Sequence, residues 1–215
     1  MLDLLIFLSN IAIGVATLVA ILFIIAFKKL SKSLKLLAIY FIVSAIVDLL
    51  SILPAFSNNN LFISHIFSIF EFVILTILFR YLYKKLGAKI ELLYVLIPGI
   101  ILFILNSIYI QSLTSYASIT SAISSGIIVI YCIYYFYLTM DLKTYVHTKW
   151  IIAILFIYHT TLIIVNLFSN KLIEMNFEAS QLVWIVRISI ILILKILLLY
   201  QVILIYKEKK LIPFK

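Results

Sequence analysis

Charged residues are scarce in this chain, and that scarcity is the first observation to limit its class. Only 12% of the 215 residues are charged, whereas 66% are hydrophobic and the mean hydropathy is +1.29. A soluble domain must present polar groups to water, and ordinary globular chains are about a quarter charged. The composition therefore excludes a soluble protein and predicts a polytopic membrane protein.

Cysteine is almost absent as well. Cys132 is the only one, which excludes an internal disulfide and any metal motif built on paired cysteines. The histidines and acids show no metal-binding spacing either, because His65 and Glu71, for example, lie six positions apart. We therefore predict no metal site, and the sequence leaves the identity of any other cofactor open.

Seven apolar segments are long enough to cross a bilayer, which requires about 20 helical residues. They comprise residues 4–27, 36–56, 61–83, 92–110, 119–140, 150–168 and 181–206. The connections between them are short, so the sequence predicts an all-α fold in which one bundle of seven transmembrane helices forms a single domain, residues 1–215. A signal peptide begins with basic residues ahead of its apolar stretch. No basic residue precedes the first segment, so we expect it to remain as a span.

Basic residues are distributed unevenly between the two sides of this predicted bundle. Fourteen of the 17 fall in alternate connections or in the C-terminal tail, and the connections of the other side contain only Lys171. The positive-inside rule then places the C-terminus in the cytoplasm and the N-terminus outside, in a multi-pass protein of the inner (cytoplasmic) membrane. We expect anionic lipid to be the partner of these basic segments. No nucleic acid is expected, since no basic patch is interleaved with exposed aromatics on a soluble module.

Several ionisable and amide side chains interrupt the apolar segments. A charge at the centre of the bilayer costs at least about 2.5 kcal/mol, so it requires a partner or a water-filled cavity. The charged candidates are Asp48, Glu71, Arg187 and Lys195, and the other polar ones are His65, Asn106, His159 and Asn166. They are interpreted either as a ligand pocket open to the outer side or as a satisfied polar network that fixes helix register.

Depth in the membrane suggests which charges meet. At 1.5 Å per residue from the outer end of its span, Arg187 lies about 9 Å deep and Asp48 about 12 Å deep. Glu71 lies about 15 Å deep and Lys195 about 21 Å deep. These depths predict that Asp48 meets Arg187. They predict that Glu71 meets either Lys195 or Arg187.

One stretch of the chain resembles a known group of proteins. It comprises Asn58-Asn59-Asn60-Leu61-Phe62, His65 and Glu71-Phe72, with further matching positions at Asp48, Asn106-Ser107, Trp150, His159 and Trp184. In these positions the chain resembles a family of small seven-span integral membrane proteins, uncharacterised in function, that is common in Bacteroidota. At Asp48 the family more usually has Glu, so the acid is kept, and the chain departs from the pattern at Arg187, where His is expected, and at Lys195, where Asn is expected. The resemblance implies an architecture rather than an activity.

Two enzymatic or chromophore-binding classes are remote alternatives. A retinal protein would use Lys195 for a Schiff base and Glu71 as its counterion, but Ile191 stands where microbial rhodopsins have Asp. An intramembrane lipid hydrolase would hold zinc with paired histidines in its last span, and the seventh segment contains no histidine. The prediction therefore leans away from an enzyme.

Two broader classes remain open. One is a non-enzymatic sensor or effector that acts with a separately encoded protein partner or with a second copy of the chain, favoured by the short basic inner connections. The other is a transporter or channel for a small polar or ionic substrate, favoured by the charged interior and by Pro98-Gly99, which can form a hinge or a static kink. We favour the sensor or effector.

Overall fold

The computed structural model describes residues 2–51, 61–142, 146–174 and 177–209, and every regular element in these ranges is a helix. Seven of the helices are long and apolar enough to cross a membrane, counting α4 together with the turn that continues it. They are α1 Leu2–Ala26, α2 Lys32–Ser51, α3 Leu61–Lys85, α4 Leu93–Leu105, α5 Ser118–Thr139, α6 Val146–Glu174 and α7 Phe177–Lys209. The prediction of an all-helical protein with seven candidate transmembrane helices is confirmed.

The helix bounds differ most from the predicted apolar segments at the connection between α6 and α7. The sequence predicts a loop between residues 168 and 181, yet α6 continues to Glu174 and α7 begins at Phe177. Hydropathy marks only the portion that suits a bilayer, and polar residues beyond it still continue the backbone hydrogen bonds of a helix. The end of the predicted second segment, residues 52–56 with Pro54, lies outside the described residues.

Contacts between helices run in a closed circuit. α1 contacts α2 and α7, α2 contacts α3, α3 contacts α5, and α6 contacts both α5 and α7. The circuit includes six helices, and α4 packs against α3. α3 is therefore the helix through which α4 is tied to the circuit.

A glycine permits the close approach of α4 to α3. A Cβ atom added to Gly99 would lie 2.5 Å from Cε1 of Phe72, a fully buried ring that also packs edge-on against Phe103. Pro98 precedes this contact within the helix. Because the ring of Phe72 occupies the space of a Cβ, any larger residue at position 99 would displace this buried ring.

Large apolar side chains fill one half of the molecule, which we call the packed half. It contains Leu37, Phe79, Tyr83, Ile128, Tyr135 and Ile151, all at most 1% exposed. These residues come from the parts of α2, α3, α5 and α6 nearest to the basic connections, an end of the molecule that we call the basic end. Tyr83 also donates a hydrogen bond to the Tyr131 carbonyl at 2.6 Å. The opposite end, where residues 111–117 connect α4 to α5, is called the charge-poor end.

Candidate functional site: a polar intramembrane cavity

A cavity of about 280 Å³ lies between α2, α3, α5, α6 and α7, in the half of the molecule towards the charge-poor end. Its lining includes the four charged candidates Asp48, Glu71, Arg187 and Lys195. Hydroxyl and amide groups of Ser64, Ser68, Ser121 and Asn166 contribute further polar surface. The fold therefore gathers onto one cavity the charges that three different helices contribute.

Asp48 and Lys195 form an ion pair in the lining. The Lys195 Nζ lies 2.8 Å from Asp48 Oδ2, and it also donates to the Ala12 carbonyl at 3.5 Å. Depth matching predicted Arg187 as the partner of Asp48, and the structure places Lys195 there instead. The long lysine side chain extends along an apolar surface to its partner, so the depth of its Cα does not fix the depth of its charge.

Glu71 lies on the wall of the cavity formed by α3, and its residue is only 4% exposed. Its carboxyl accepts a hydrogen bond from the Tyr40 hydroxyl, with 2.7 Å between the two oxygens. Within the described ranges, no lysine or arginine forms an ion pair with Glu71. Neither cation that depth matching proposed for Glu71 is therefore within ion-pair distance of its carboxyl.

Arg187 enters the cavity from α7 between two aromatic rings. Its guanidinium carbon lies 4.7 Å from the centre of the Trp184 ring and 5.7 Å from the centre of the Tyr116 ring. Nη2 donates to the Tyr116 hydroxyl at 3.1 Å, and the buried Nε has no hydrogen-bond partner among the described residues. The rings hold the guanidinium by cation–π attraction while part of its donor set remains without a protein acceptor in the described ranges.

A hydrogen-bond network beside the cavity positions Tyr116. His65 contacts the Ser107 hydroxyl at 2.9 Å and the Ser115 carbonyl at 3.0 Å, so it joins α3 to both sides of the connection between α4 and α5. Asn106 begins a π-helical turn, Asn106–Ile110, that continues α4, and it donates to Gln111 at 3.0 Å. His65 and Asn106 are not in the cavity lining, and they stabilise the segment that carries Tyr116.

His159 is fully buried and is not in the lining either. Its Nδ1 lies 3.3 Å from the Ser125 hydroxyl, which places it between α6 and α5. The preceding residue, Tyr158, is the one that lines the cavity. His159 therefore belongs to the packing of α6 against α5.

Three aromatic residues at this site were not among the sequence candidates. Tyr40 holds Glu71, whereas Tyr116 and Trp184 hold Arg187. Tyrosine is frequent in this chain, with 14 copies, so composition gives no signal that separates these two from the rest. Trp184 lies three residues before Arg187, and that spacing places both on one face of α7. It is the single pattern that indicates an arginine stacked on an aromatic ring.

A smaller space of about 40 Å³ shares Ser44, Tyr158, Ile191 and Lys195 with the cavity. Its remaining lining is almost entirely apolar and includes Val19 and Leu198, which belong to the packed half. The polar surface thus ends near Lys195.

The described residues include no group of three His, Cys, Asp or Glu side chains placed to hold a metal ion. Comparisons with family models, with curated proteins and with solved structures found no match to this chain. The Bacteroidota resemblance therefore stays a prediction.

Proposed function

We propose that this protein is a non-enzymatic membrane sensor or effector that binds a small polar molecule in the cavity and acts with a separate protein partner. The observation that carries the proposal is the cavity itself, which combines charged side chains with a volume of about 280 Å³. If every charged side chain in the lining had an ion-pair partner within the protein, no charge would remain to attract a ligand. Here Glu71 is without an ion-pair partner in the described ranges, and so is Arg187.

The shape of the interior favours a receptor over an open pore. Polar lining is confined to one half, and beyond it the buried rings of Phe79, Tyr83 and Tyr135 fill the interior. A molecule bound near Lys195 would meet a largely apolar floor, in which the adjoining space measures only about 40 Å³. Binding would then change the packing between helices rather than open a direct path, which is what a sensor requires.

The proposal includes an arrangement in the membrane. The seven helices form one bundle in the inner membrane, with the N-terminus and the charge-poor end outside and the C-terminus in the cytoplasm. The basic end then faces anionic lipid and the protein partner in the cytoplasm. Lys32 lies over the Tyr81 ring at 5.4 Å, which supports an amphipathic surface of this kind at the basic end.

Native mass spectrometry of the purified protein, incubated with a small-molecule extract of the expressing cells, tests the proposal. We expect one bound small molecule per chain, lost when Arg187→Met removes the guanidinium. Arg80→Met is the matched control, because Arg80 lies at the basic end away from the cavity. Equal binding by the wild type and both variants, or no bound molecule in any of them, would contradict the proposal.

A transporter is the second candidate, and the smaller space adjoining Lys195 favours it, since a pathway would continue in that direction. Proteoliposomes incubated with a ¹³C-labelled extract distinguish the two functions. A sensor accumulates no labelled compound inside the vesicles, whereas a transporter accumulates one above the level of empty liposomes. Accumulation that Glu71→Gln abolishes would replace the sensor by a transporter that uses this acid.

A further inference from the structure

We propose that the molecule bound in the cavity is a small zwitterion, which carries an anionic group for Arg187 and a protonated amine for Glu71. This inference rests on the proposed function and specifies the ligand of that same cavity. Four charges line the cavity, and two of them, Asp48 and Lys195, neutralise each other at 2.8 Å. The remaining two, Arg187 and Glu71, carry opposite charges.

Arg187 is arranged to bind an anion in a fixed orientation. The Trp184 and Tyr116 rings lie against the guanidinium at 4.7 and 5.7 Å, and the single hydrogen bond to a described residue goes from Nη2 to the Tyr116 hydroxyl. The cation–π contact with Trp184 and the hydrogen bond to Tyr116 restrain the guanidinium, which has more N–H donors than this one hydrogen bond uses. A planar carboxylate or a phosphate accepts two parallel hydrogen bonds from the edge of a guanidinium, and a point charge such as lysine does not provide them.

Glu71 supplies the opposite charge. Its carboxyl is almost fully buried, and the hydrogen bond from the neutral Tyr40 hydroxyl satisfies only part of its capacity as an acceptor. A buried carboxylate that lacks a cation is unfavourable, because water no longer solvates it. A protonated amine on the ligand would compensate that loss, and a ligand that also carries an anionic group would pair with Arg187 at the same time.

The volume limits the size of the ligand. A cavity of about 280 Å³ lies close to the lower limit of about 300 Å³ for small-molecule sites. An amino acid fits this space, and so does the phosphoethanolamine portion of a lipid headgroup. Both present an anionic group and a protonated amine a few bonds apart, which is the chemistry that Arg187 and Glu71 share between them.

The test compares ligands that differ in one charge. Purified full-length protein in detergent is incubated with a mixture of the amino acids, with the same mixture as N-acetyl derivatives, which lack the amine charge, and with the methyl esters, which lack the carboxylate. Glycerophosphoethanolamine is a separate probe for the headgroup source. Native mass spectrometry and thermal unfolding measure binding in each case.

We expect binding of the free amino acids or of glycerophosphoethanolamine, and at least tenfold weaker binding of both derivative mixtures. Glu71→Gln should weaken binding of the zwitterion at least tenfold and leave binding of the N-acetyl derivatives unchanged. Arg187→Lys, which keeps the charge and removes the planar fork, should weaken it as well. The unfolding temperature without ligand shows whether each variant is folded, and Arg80→Met, outside the cavity, is the matched control.

Four results would overturn the inference. If the N-acetyl derivatives bind as tightly as the free amino acids, the cavity is an anion site. If the methyl esters bind as tightly as the free amino acids, it is a cation site. If no probe binds but the cell extract still supplies a molecule that Arg187→Met abolishes, the proposed function stands and the zwitterion is wrong. If neither the probes nor the extract yields a bound molecule, both proposals fail together.

Discussion

The two halves of this molecule are built from the same helices in opposite ways. In the packed half, rings such as Phe79 and Tyr83 fill the space between α3 and its neighbours and are at most 1% exposed. In the other half the same helix presents Glu71 and Ser68 to a cavity of about 280 Å³. One helix therefore contributes to an apolar core over part of its length and to a polar site over the rest.

The difference shows what each half requires of its sequence. The packed half depends on shape, since interlocking rings lose contacts when any one of them is shortened. The cavity half depends on charge, because each ionisable group in an apolar surrounding needs a partner from another helix. Substitutions in the first half should therefore affect stability, whereas substitutions in the second should affect binding with smaller changes in stability.

The largest effect is expected from shortening a ring in the packed half. Phe79→Ala should destabilise the protein by about 3 to 5 kcal/mol, since it removes a fully buried ring and leaves a void. Phe7→Ala is the matched control, because Phe7 is 61% exposed on α1 and should cost far less. Thermal unfolding in detergent measures both. Equal losses in the two variants would mean that the packed half is no more tightly packed than the outer surface.

A smaller effect is expected at the contact between α3 and α4. Gly99→Ala should cost about 1 to 3 kcal/mol, because the new methyl group meets the Phe72 ring, which is itself buried. Gly14→Ala is the control, since its added methyl group would meet nothing within 4 Å. The same unfolding measurement compares them. If Gly99→Ala is as stable as Gly14→Ala, α4 is free to move away from α3, as a hinge at Pro98-Gly99 would allow.

The ion pair of the cavity should contribute less than either packing contact. Asp48→Asn and Lys195→Met each remove one charge of the pair that borders the cavity. The loss of unfolding free energy in the double variant should be about 1 kcal/mol smaller than the sum of the two single losses. A double-mutant cycle of unfolding free energies measures this coupling. Strictly additive losses would show that the two charges do not interact in the membrane.

The smallest effect is expected outside the membrane-spanning segments, at Glu91. Hydrogen bonding from Arg80, with Lys84 also close, lowers the pKa of the Glu91 carboxyl below its ordinary value of 4.5. Because the folded protein has the lower pKa, the ionised carboxyl stabilises the fold at any pH above 4.5. That stabilisation is lost as the pH falls through the lowered pKa of the folded protein.

Glu91→Gln should therefore remove a small acid-dependent part of the stability and leave the cavity unaffected. Unfolding temperatures from about pH 7 to about pH 3 test this, with Asp141→Asn, an exposed acid near the same end, as the control. An identical pH profile for the wild type and Glu91→Gln would contradict a contribution from the ion pairs with Arg80 and Lys84.

Much of this architecture follows from the sequence, and the missing parts have physical causes. Asp48, Glu71, Arg187 and Lys195 are recognisable because each places a charge in an apolar segment. Their partners are not recognisable in the same way, since side-chain reach and helix packing decide which charges meet. Lys195 shows this most clearly, because its position in the sequence suggests a depth well below that of Asp48.

Tyr116 illustrates a second limit. It lies in a short polar connection, where a tyrosine gives no signal of its own. It follows Ser115, whose carbonyl contacts His65, and its hydroxyl accepts a hydrogen bond from Arg187. Such a position emerges only after α3, α4 and α5 have packed together. Aromatic residues that hold a charge by cation–π contact are therefore harder to predict than the charge itself.

Cysteine labelling in intact cells tests the central proposal, in which the polar cavity opens towards the charge-poor end and that end faces the outside. In a Cys132→Ala background, Ser44→Cys places a thiol in the cavity lining, and Thr139→Cys places one at a fully buried position near the basic end. We predict that a small, membrane-impermeant thiol reagent added outside modifies the cysteine at position 44 and spares the one at 139. Modification of position 44 only after the cells are opened, or equal labelling of both, would contradict the account.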